Sequence, residues 1–202
     1  MTALTRPDIA FTEGYGPQIF ENMYAPTKSL AIWHRSLSED LHSNANALCR
    51  KQFAFRSTFN PHEETESDRL RSELARETKM SARPIEDDLI ELAQIFTKIC
   101  NTDTTRIRLK TVSDNGCSLF HFDNVAMRLV ITYRGAGTQW VYPEFAANAR
   151  IQQRDYKGPL NEIDTGHVAL FRGRKSNAGG MMLHRSPPLG GKKPPRLVGV
   201  ID

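Results

Sequence analysis

The sequence predicts an α+β fold in which a jelly-roll core follows a helical first half, and three observations support this. The apolar pattern is helical up to about residue 100 and twofold from Thr105 onward. Short strand-like pieces then recur, eight in all, separated by turn residues. Eight short strands is the number from which a double-sheet jelly roll is built. A chain of 202 residues can bury one good core. The expected division is therefore 1–104, an arm with buttressing helices belonging to the same domain, and 105–202, the jelly-roll core.

Taken in order, residues 1–27 carry Pro7, Gly14, Gly16, Pro17 and Pro26 with little periodicity, which predicts an irregular arm. Ser29 to Trp33 is a short apolar run suited to a strand at the margin of the sheet, and His34 beside Trp33 reads as a structural histidine. Leu37 to Phe53 has helical spacing through Leu37, Leu41 and Leu48, with Glu39 and Asp40 in the first turn. Asn60-Pro61 marks a break. His62-Glu63-Glu64 reads as a solvated helix start, because successive helical positions do not face one another. A charged amphipathic helix follows over 70–79. The clearest helix runs from Pro84 to Cys100, with Pro84 in the first turn, Glu86, Asp87 and Asp88 suited to the dipole, and Leu89, Leu92, Ile95, Phe96 and Ile99 as an apolar stripe. These N-terminal helices are expected to pack on one sheet. Strands are expected at about 106–112, 117–122, 126–133, 138–142, 160–164, 167–172, 180–185 and 196–202, with a turn at Ser113-Asp114-Asn115-Gly116. Residues 143–159 fit none of these and read as a substrate-facing loop.

The residues that carry chemistry start in Cys117-Ser118-Leu119-Phe120-His121-Phe122-Asp123-Asn124. In an extended strand, positions i and i+2 share a face, so His121 and Asp123 project together. A third ligand is available in His184, within Met182-Leu183-His184-Arg185-Ser186-Pro187. Two imidazoles and one carboxylate with open positions left over form the facial set that non-haem Fe(II) oxygenases use. Taken alone, a His-x-Asp pair is usually incidental. Arg196 adds weight, because it heads the apolar run Leu197-Val198-Gly199-Val200-Ile201 and shares strand parity with Val198 and Val200. An inward guanidinium needs an anion, since an unpaired buried charge is costly. Cys117 shares parity with His121 but stands about 13 Å along an extended strand, too far for a fourth ligand. His42, His62 and His167 read as surface or turn residues.

His-x-Asp, a distal His and an Arg heading the last strand together resemble the 2-oxoglutarate and Fe(II)-dependent dioxygenases, in particular the prolyl-hydroxylase-like branch. Gly135-Ala136-Gly137-Thr138-Gln139-Trp140 is similar to the glycine-rich turn after the third barrel strand of that branch. Thr165-Gly166-His167-Val168-Ala169-Leu170-Phe171 is similar to the strand before its distal His. The likeness spans about residues 105–202. It implies a double-stranded β-helix (a cupin-like jelly roll) with Fe(II) held by His121, Asp123 and His184. It also implies 2-oxoglutarate as cosubstrate, its distal carboxylate on Arg196. Tyr133 would add a hydroxyl donor to that carboxylate or serve only packing, and Arg128 would bind cosubstrate or substrate or form a structural ion pair. The activity implied is hydroxylation of an unidentified small-molecule or protein substrate, with succinate and carbon dioxide as co-products. The alternative is a cupin-like protein that binds a metal such as zinc for metal handling or regulation without redox turnover.

Composition narrows the remaining classes. Hydrophobic content of 39% and charged content of 25% suit a globular protein, and no run approaches the ~18 to 20 apolar residues of a membrane span. The N-terminus lacks a basic segment followed by an apolar one, so no secretory signal is expected and a cytoplasmic location is. Cys49, Cys100 and Cys117 are odd in number and widely spaced, which argues against a disulfide framework or a zinc knuckle. The formal charge is a mild +4, but residues 171–196 hold Arg172, Arg174, Lys175, Arg185, Lys192, Lys193 and Arg196 with no acid. That run would attract an anionic substrate or nucleic acid, or is more simply a solvated loop, which is the reading preferred. With only Phe171 to stack a base, a nucleic-acid partner is not expected.

Overall fold

Alternation in Arg106-Ile107-Arg108-Leu109-Lys110 gives a strand whose Ile107 and Leu109 are fully buried on one face while its cations turn to the other. The computed structural model describes residues 10–114, 117–177, 179–188 and 194–202. In chain order its elements are β1 (Phe11–Gly14), a 3-10 helix (Pro17–Tyr24), β2 (Leu30–Trp33), α1 (Glu39–Leu48), β3 (Ala54–Phe59), α2 (Glu66–Thr78), α3 (Arg83–Cys100) and β4 (Thr105–Val112). They continue with β5 (Met127–Arg134), β6 (Gln139–Trp140), α4 (Pro143–Gln152), a short 3-10 turn (Gln153–Asp155), β7 (Asn161–Glu162), β8 (Val168–Arg172), β9 (His184–Arg185) and β10 (Arg196–Ile201). A seven-stranded sheet has the order β1-β2-β8-β5-β10-β4-β3 and a small one the order β7-β6-β9. All pairings are antiparallel except β1 with β2.

The large sheet buries both faces differently. Leu129, Ile131 and Tyr133 of β5, Val168 and Leu170 of β8 and Leu197 and Ile201 of β10 pack with Leu89, Leu92 and Phe96 of α3, Leu48 of α1 and Leu70 and Leu74 of α2. Each large side chain so buried contributes about 1.5–3 kcal/mol. The opposite face, with Val130, Ala169, Phe171 and Val198, packs against Trp140, Ile163 and Met182 of the small-sheet side. This second interior holds the site.

A buried ion pair ties α3 to the sheet. Asp88 accepts from Arg35 Nη1 at 2.7 Å and Nη2 at 2.8 Å, and from the Tyr133 hydroxyl at 2.6 Å. Burial, and then the Asp88 carboxylate, push the Tyr133 phenol well above its ordinary pKa, so it stays a donor. Asp88→Ala leaves the buried Tyr133 phenol without its acceptor and the largely buried Arg35 guanidinium with only the Gly166 carbonyl. Removing one partner of such a pair costs about 3–5 kcal/mol. At about 2–4 °C per kcal/mol for a domain of this size, the melting temperature is expected to fall by roughly 6–20 °C in a thermal melt.

Several expectations are corrected here. The boundary at residue 104 does not divide the sheet, since β1, β2 and β3 supply three of its seven strands. The arm is not irregular where described, forming β1 and a 3-10 helix, and β2 lies inside β1 rather than at the margin. Residues 117–122 are not a strand. His121 makes a single bridge with His184, and the Phe120 amide is met by Gln153 Oε1 at 2.7 Å, so no ladder forms. The loop expected over 143–159 is α4 and a 3-10 turn, opened by Pro143 at the first helical position. Arg172, Arg185 and Arg196 are buried rather than solvated, with Arg172 donating to the carbonyls of Met23, Ala25 and Lys28. Asn115, Gly116, Lys192 and Lys193 lie outside the described residues. Among those described, no helix is long and apolar enough to cross a membrane.

Candidate metal centre

Two segments bring three ligand atoms together. His184 enters on β9, the bridge places His121 beside it with ring centroids 4.7 Å apart, and Asp123 follows two residues on. One donor atom from each residue lies within 4.8 Å of the others. His184 Nε2 is 3.2 Å from Asp123 Oδ2, and His121 Nε2 is 3.9 Å from Asp123 Oδ1. Donors about 2.1 Å from one cation at right angles stand about 3 Å apart, so the set needs only a small imidazole swing to close on an ion.

The second contacts of the rings decide which atoms face the centre. His121 Nδ1 is 2.8 Å from the Leu119 carbonyl and His184 Nδ1 is 3.0 Å from that of Met182. A carbonyl only accepts, so each Nδ1 carries hydrogen, and in the neutral ring each Nε2 then presents a lone pair. Asp123 Oδ2, buried and without a hydrogen-bond donor, faces the His184 lone pair at 3.2 Å. Two such atoms repel unless a proton or a metal ion lies between them. Burial, followed by the neighbouring His184, holds the His121 pKa below its ordinary value, which keeps that ring neutral. Burial works to raise the Asp123 pKa, but His184, Arg128 and His121 outweigh it and the carboxylate is held below its usual range. The donor set fits a divalent cation.

The centre opens on a cavity of about 230 Å³ whose lining includes Val112, Cys117, Arg128, Val130, Thr138, Ser186, Val198 and Val200. Arg128 pairs with Asp123 and, through Nη2 at 2.6 Å, with Asp202. The structural ion pair foreseen for it is therefore present, on the wall of the cavity. Arg196 is 1% exposed, donates from Nε to the Ala136 carbonyl at 2.6 Å and from Nη2 to Thr132 Oγ1 at 3.3 Å, and shares its strand face with the cavity-lining Val198 and Val200. Among the described residues no carboxylate lies within ion-pair distance of it. Burial pulls its pKa down to about 10, with only distant Glu162 and Cys117 opposing. Cys117 lines the cavity but is not part of the ligand set.

This structure does not bring Tyr133 to the centre, and Arg196 is not among the residues that line the cavity. Tyr133 sits on the helix-facing side of β5 and spends its hydroxyl on Asp88, because odd-numbered positions of that strand face α3. Tyr133→Phe is expected to cost about 1–2 kcal/mol of stability, by the loss of one buried hydrogen bond to a charged group, and to leave any 2-oxoglutarate affinity within twofold of the native chain. A calorimetric titration of 2-oxoglutarate into the variant checks this.

Sequence reasoning missed two features. Arg56 on β3 and Arg108 and Lys110 on β4 also line the cavity. The alternation Phe55, Ser57, Phe59 signals β3 and thus where Arg56 points. His34, read as a structural histidine beside Trp33, has Glu13 Oε2 at 3.1 Å and the His167 ring centroid at 4.5 Å, a cluster whose sequence separation hides it.

No curated protein matches the chain. Among solved structures, dioxygenase for auxin oxidation 1 from Arabidopsis thaliana, determined as its 2-oxoglutarate binary complex, is similar with a TM-score of 0.52 at 9% identity, over 96% of this chain and 91% of that one. A prolyl-4-hydroxylase from Pseudomonas putida is similar with a TM-score of 0.50 at 10% identity, over 91% of this chain and 95% of that one. At such identities the likeness is one of fold alone. A family model matches residues 14–202, and the chain therefore belongs to the family described as Protein of unknown function (DUF1826).

Proposed function

We propose that this chain is an Fe(II) and 2-oxoglutarate-dependent dioxygenase that hydroxylates a substrate held in the cavity beside His121, Asp123 and His184. The observation that carries the reading is the His184 Nε2 to Asp123 Oδ2 approach, two lone-pair atoms 3.2 Å apart in a buried site with the ring nitrogen behind one of them already committed to a carbonyl. Bound together, Fe(II) and 2-oxoglutarate would supply an oxidant from dioxygen, with succinate and carbon dioxide as co-products. His121, Asp123 and His184 would take three positions on the ion and leave the others open. The Leu119 and Met182 carbonyls keep both rings in the one tautomer that can coordinate. Arg128 steadies Asp123 from the side. Arg196, a buried guanidinium without a carboxylate partner, suits the distal carboxylate of 2-oxoglutarate. Val130, Val198 and Val200 give the cavity an apolar stretch of wall.

The test is the purified chain supplied with Fe(II), 2-oxoglutarate and air. Slow succinate formation without added substrate is expected, since the keto acid turns over uncoupled. Tight metal binding with no succinate under any substrate mixture would instead favour the non-redox metal-binding alternative.

A further inference from the structure

The cavity has a second chemical character that the metal centre does not use. Arg56, Arg108 and Lys110 line it, with Arg56 directly opposite Arg108 on the neighbouring strand and Lys110 two residues further along β4. Like charges placed directly opposite weaken a strand pair, so this arrangement costs stability when nothing anionic lies against it. The acids nearby do not balance it. Arg106, Arg108 and Arg128 share one carboxylate, Asp202, and Asp123 is committed to the centre and to Arg128. Among the described residues, Arg56 and Lys110 have no carboxylate at ion-pair distance, and Arg108 Nε is buried with no acceptor. Burial lowers the Arg108 pKa, and of its charged neighbours only Asp202 opposes this while Arg128, Arg106 and Arg56 add to it.

We propose that Arg56, Arg108 and Lys110 bind a phosphate group, and that the molecule taken into the cavity is a phosphorylated small molecule. Adjacent strands are about 5 Å apart and positions i and i+2 about 7 Å apart, so two guanidinium forks and one ammonium converge on a single small group. A carboxylate has two oxygens and is satisfied by one fork. A phosphate offers at least three acceptor oxygens and up to two charges, which matches three donors of this geometry. A nucleic-acid strand is disfavoured because the cavity lining offers Phe55 as its one aromatic ring besides the two imidazoles, too few to stack successive bases. That the bound molecule is then oxidised rests on the dioxygenase reading. The phosphate site does not.

The test is a calorimetric titration of the full chain, loaded with Zn(II), with inorganic phosphate at constant ionic strength. Succinate and a single-stranded oligonucleotide are run in parallel. Phosphate is expected to bind, and Arg56→Ala/Lys110→Ala is expected to weaken it at least tenfold. Arg56→Glu is expected to remove it. Both positions are exposed, so the variants should melt within a few degrees of the native chain, and their Zn(II) and 2-oxoglutarate affinities should stay within twofold. Equal phosphate affinity in native chain and variants would overturn the proposal, since the anion would then sit on the metal or elsewhere. So would succinate binding as tightly as phosphate, or an oligonucleotide binding more tightly through the same two residues. Loss of succinate formation in the oxygenase assay, with phosphate binding intact, would count against the dioxygenase reading alone.

Discussion

Asp123→Ala is expected to lower the affinity of the chain for a divalent ion by at least about 100-fold and to abolish succinate formation, while the protein stays folded. Loss of a partner that merely orients a ligand costs about 10–100-fold in metal affinity, and Asp123 is a ligand itself. Its carboxylate is the one anionic donor of the set, so removal also takes away the charge that favours a dication over bulk water. The fold should tolerate the change, because Arg128 keeps Asp202 as a partner and Oδ2 makes no hydrogen bond that would be missed. Isothermal titration with Zn(II) reads the affinity, a succinate assay the activity and a thermal melt the retained fold. Native-like metal affinity in the variant would place the ion elsewhere and remove the basis for the oxygen chemistry. Protons compete with metal for the same nitrogens. Because the His121 pKa lies below its ordinary value, that ring stays neutral as pH falls through the usual imidazole range of about 6.5, and its competition should begin only at lower pH.

The convergence of His121, Asp123 and His184 was legible in the sequence because the residue types are rare at such spacing. His121 and Asp123 stand two apart, and His184 and Arg196 head toward the last strands. The helices were legible for a different reason, that α3 carries a continuous stripe from Leu89 to Phe96 that has to be covered. Helix α4 carries no such stripe, with only Ala149 buried, and periodicity has nothing to register there. The strand expected at 117–122 failed because a side chain, Gln153, satisfies backbone that a ladder would otherwise claim. Strand parity separates Tyr133 from Arg128. Arg128 and Tyr133 are an odd number of positions apart on one strand, so they point to opposite faces and cannot both serve one ligand.

Arg196→Met is expected to remove most of the stabilisation that 2-oxoglutarate gives the metal-loaded chain while leaving metal affinity unchanged, which separates it from Asp123→Ala. A ligand at 100 times its dissociation constant stabilises by about 2.7 kcal/mol, or roughly 5–11 °C for a domain of this size. Truncating one side of a buried, hydrogen-bonded charge pair costs about 2–5 kcal/mol, so the same concentration of keto acid should then stabilise by under about 1 kcal/mol and raise the melting temperature by no more than about 4 °C. The ligand-free chain is not expected to suffer in proportion. The change gives up hydrogen bonds to the Ala136 carbonyl and Thr132 Oγ1, worth about 1 kcal/mol each, but it also removes a desolvated guanidinium that has no carboxylate beside it among the described residues. An ordinary structural arginine would behave in the opposite way, destabilising the free protein and leaving the ligand-induced shift intact. A differential scanning measurement with and without 2-oxoglutarate tells the two apart, and a retained shift would move the keto acid's distal carboxylate to Arg128 or Arg108 on the cavity wall.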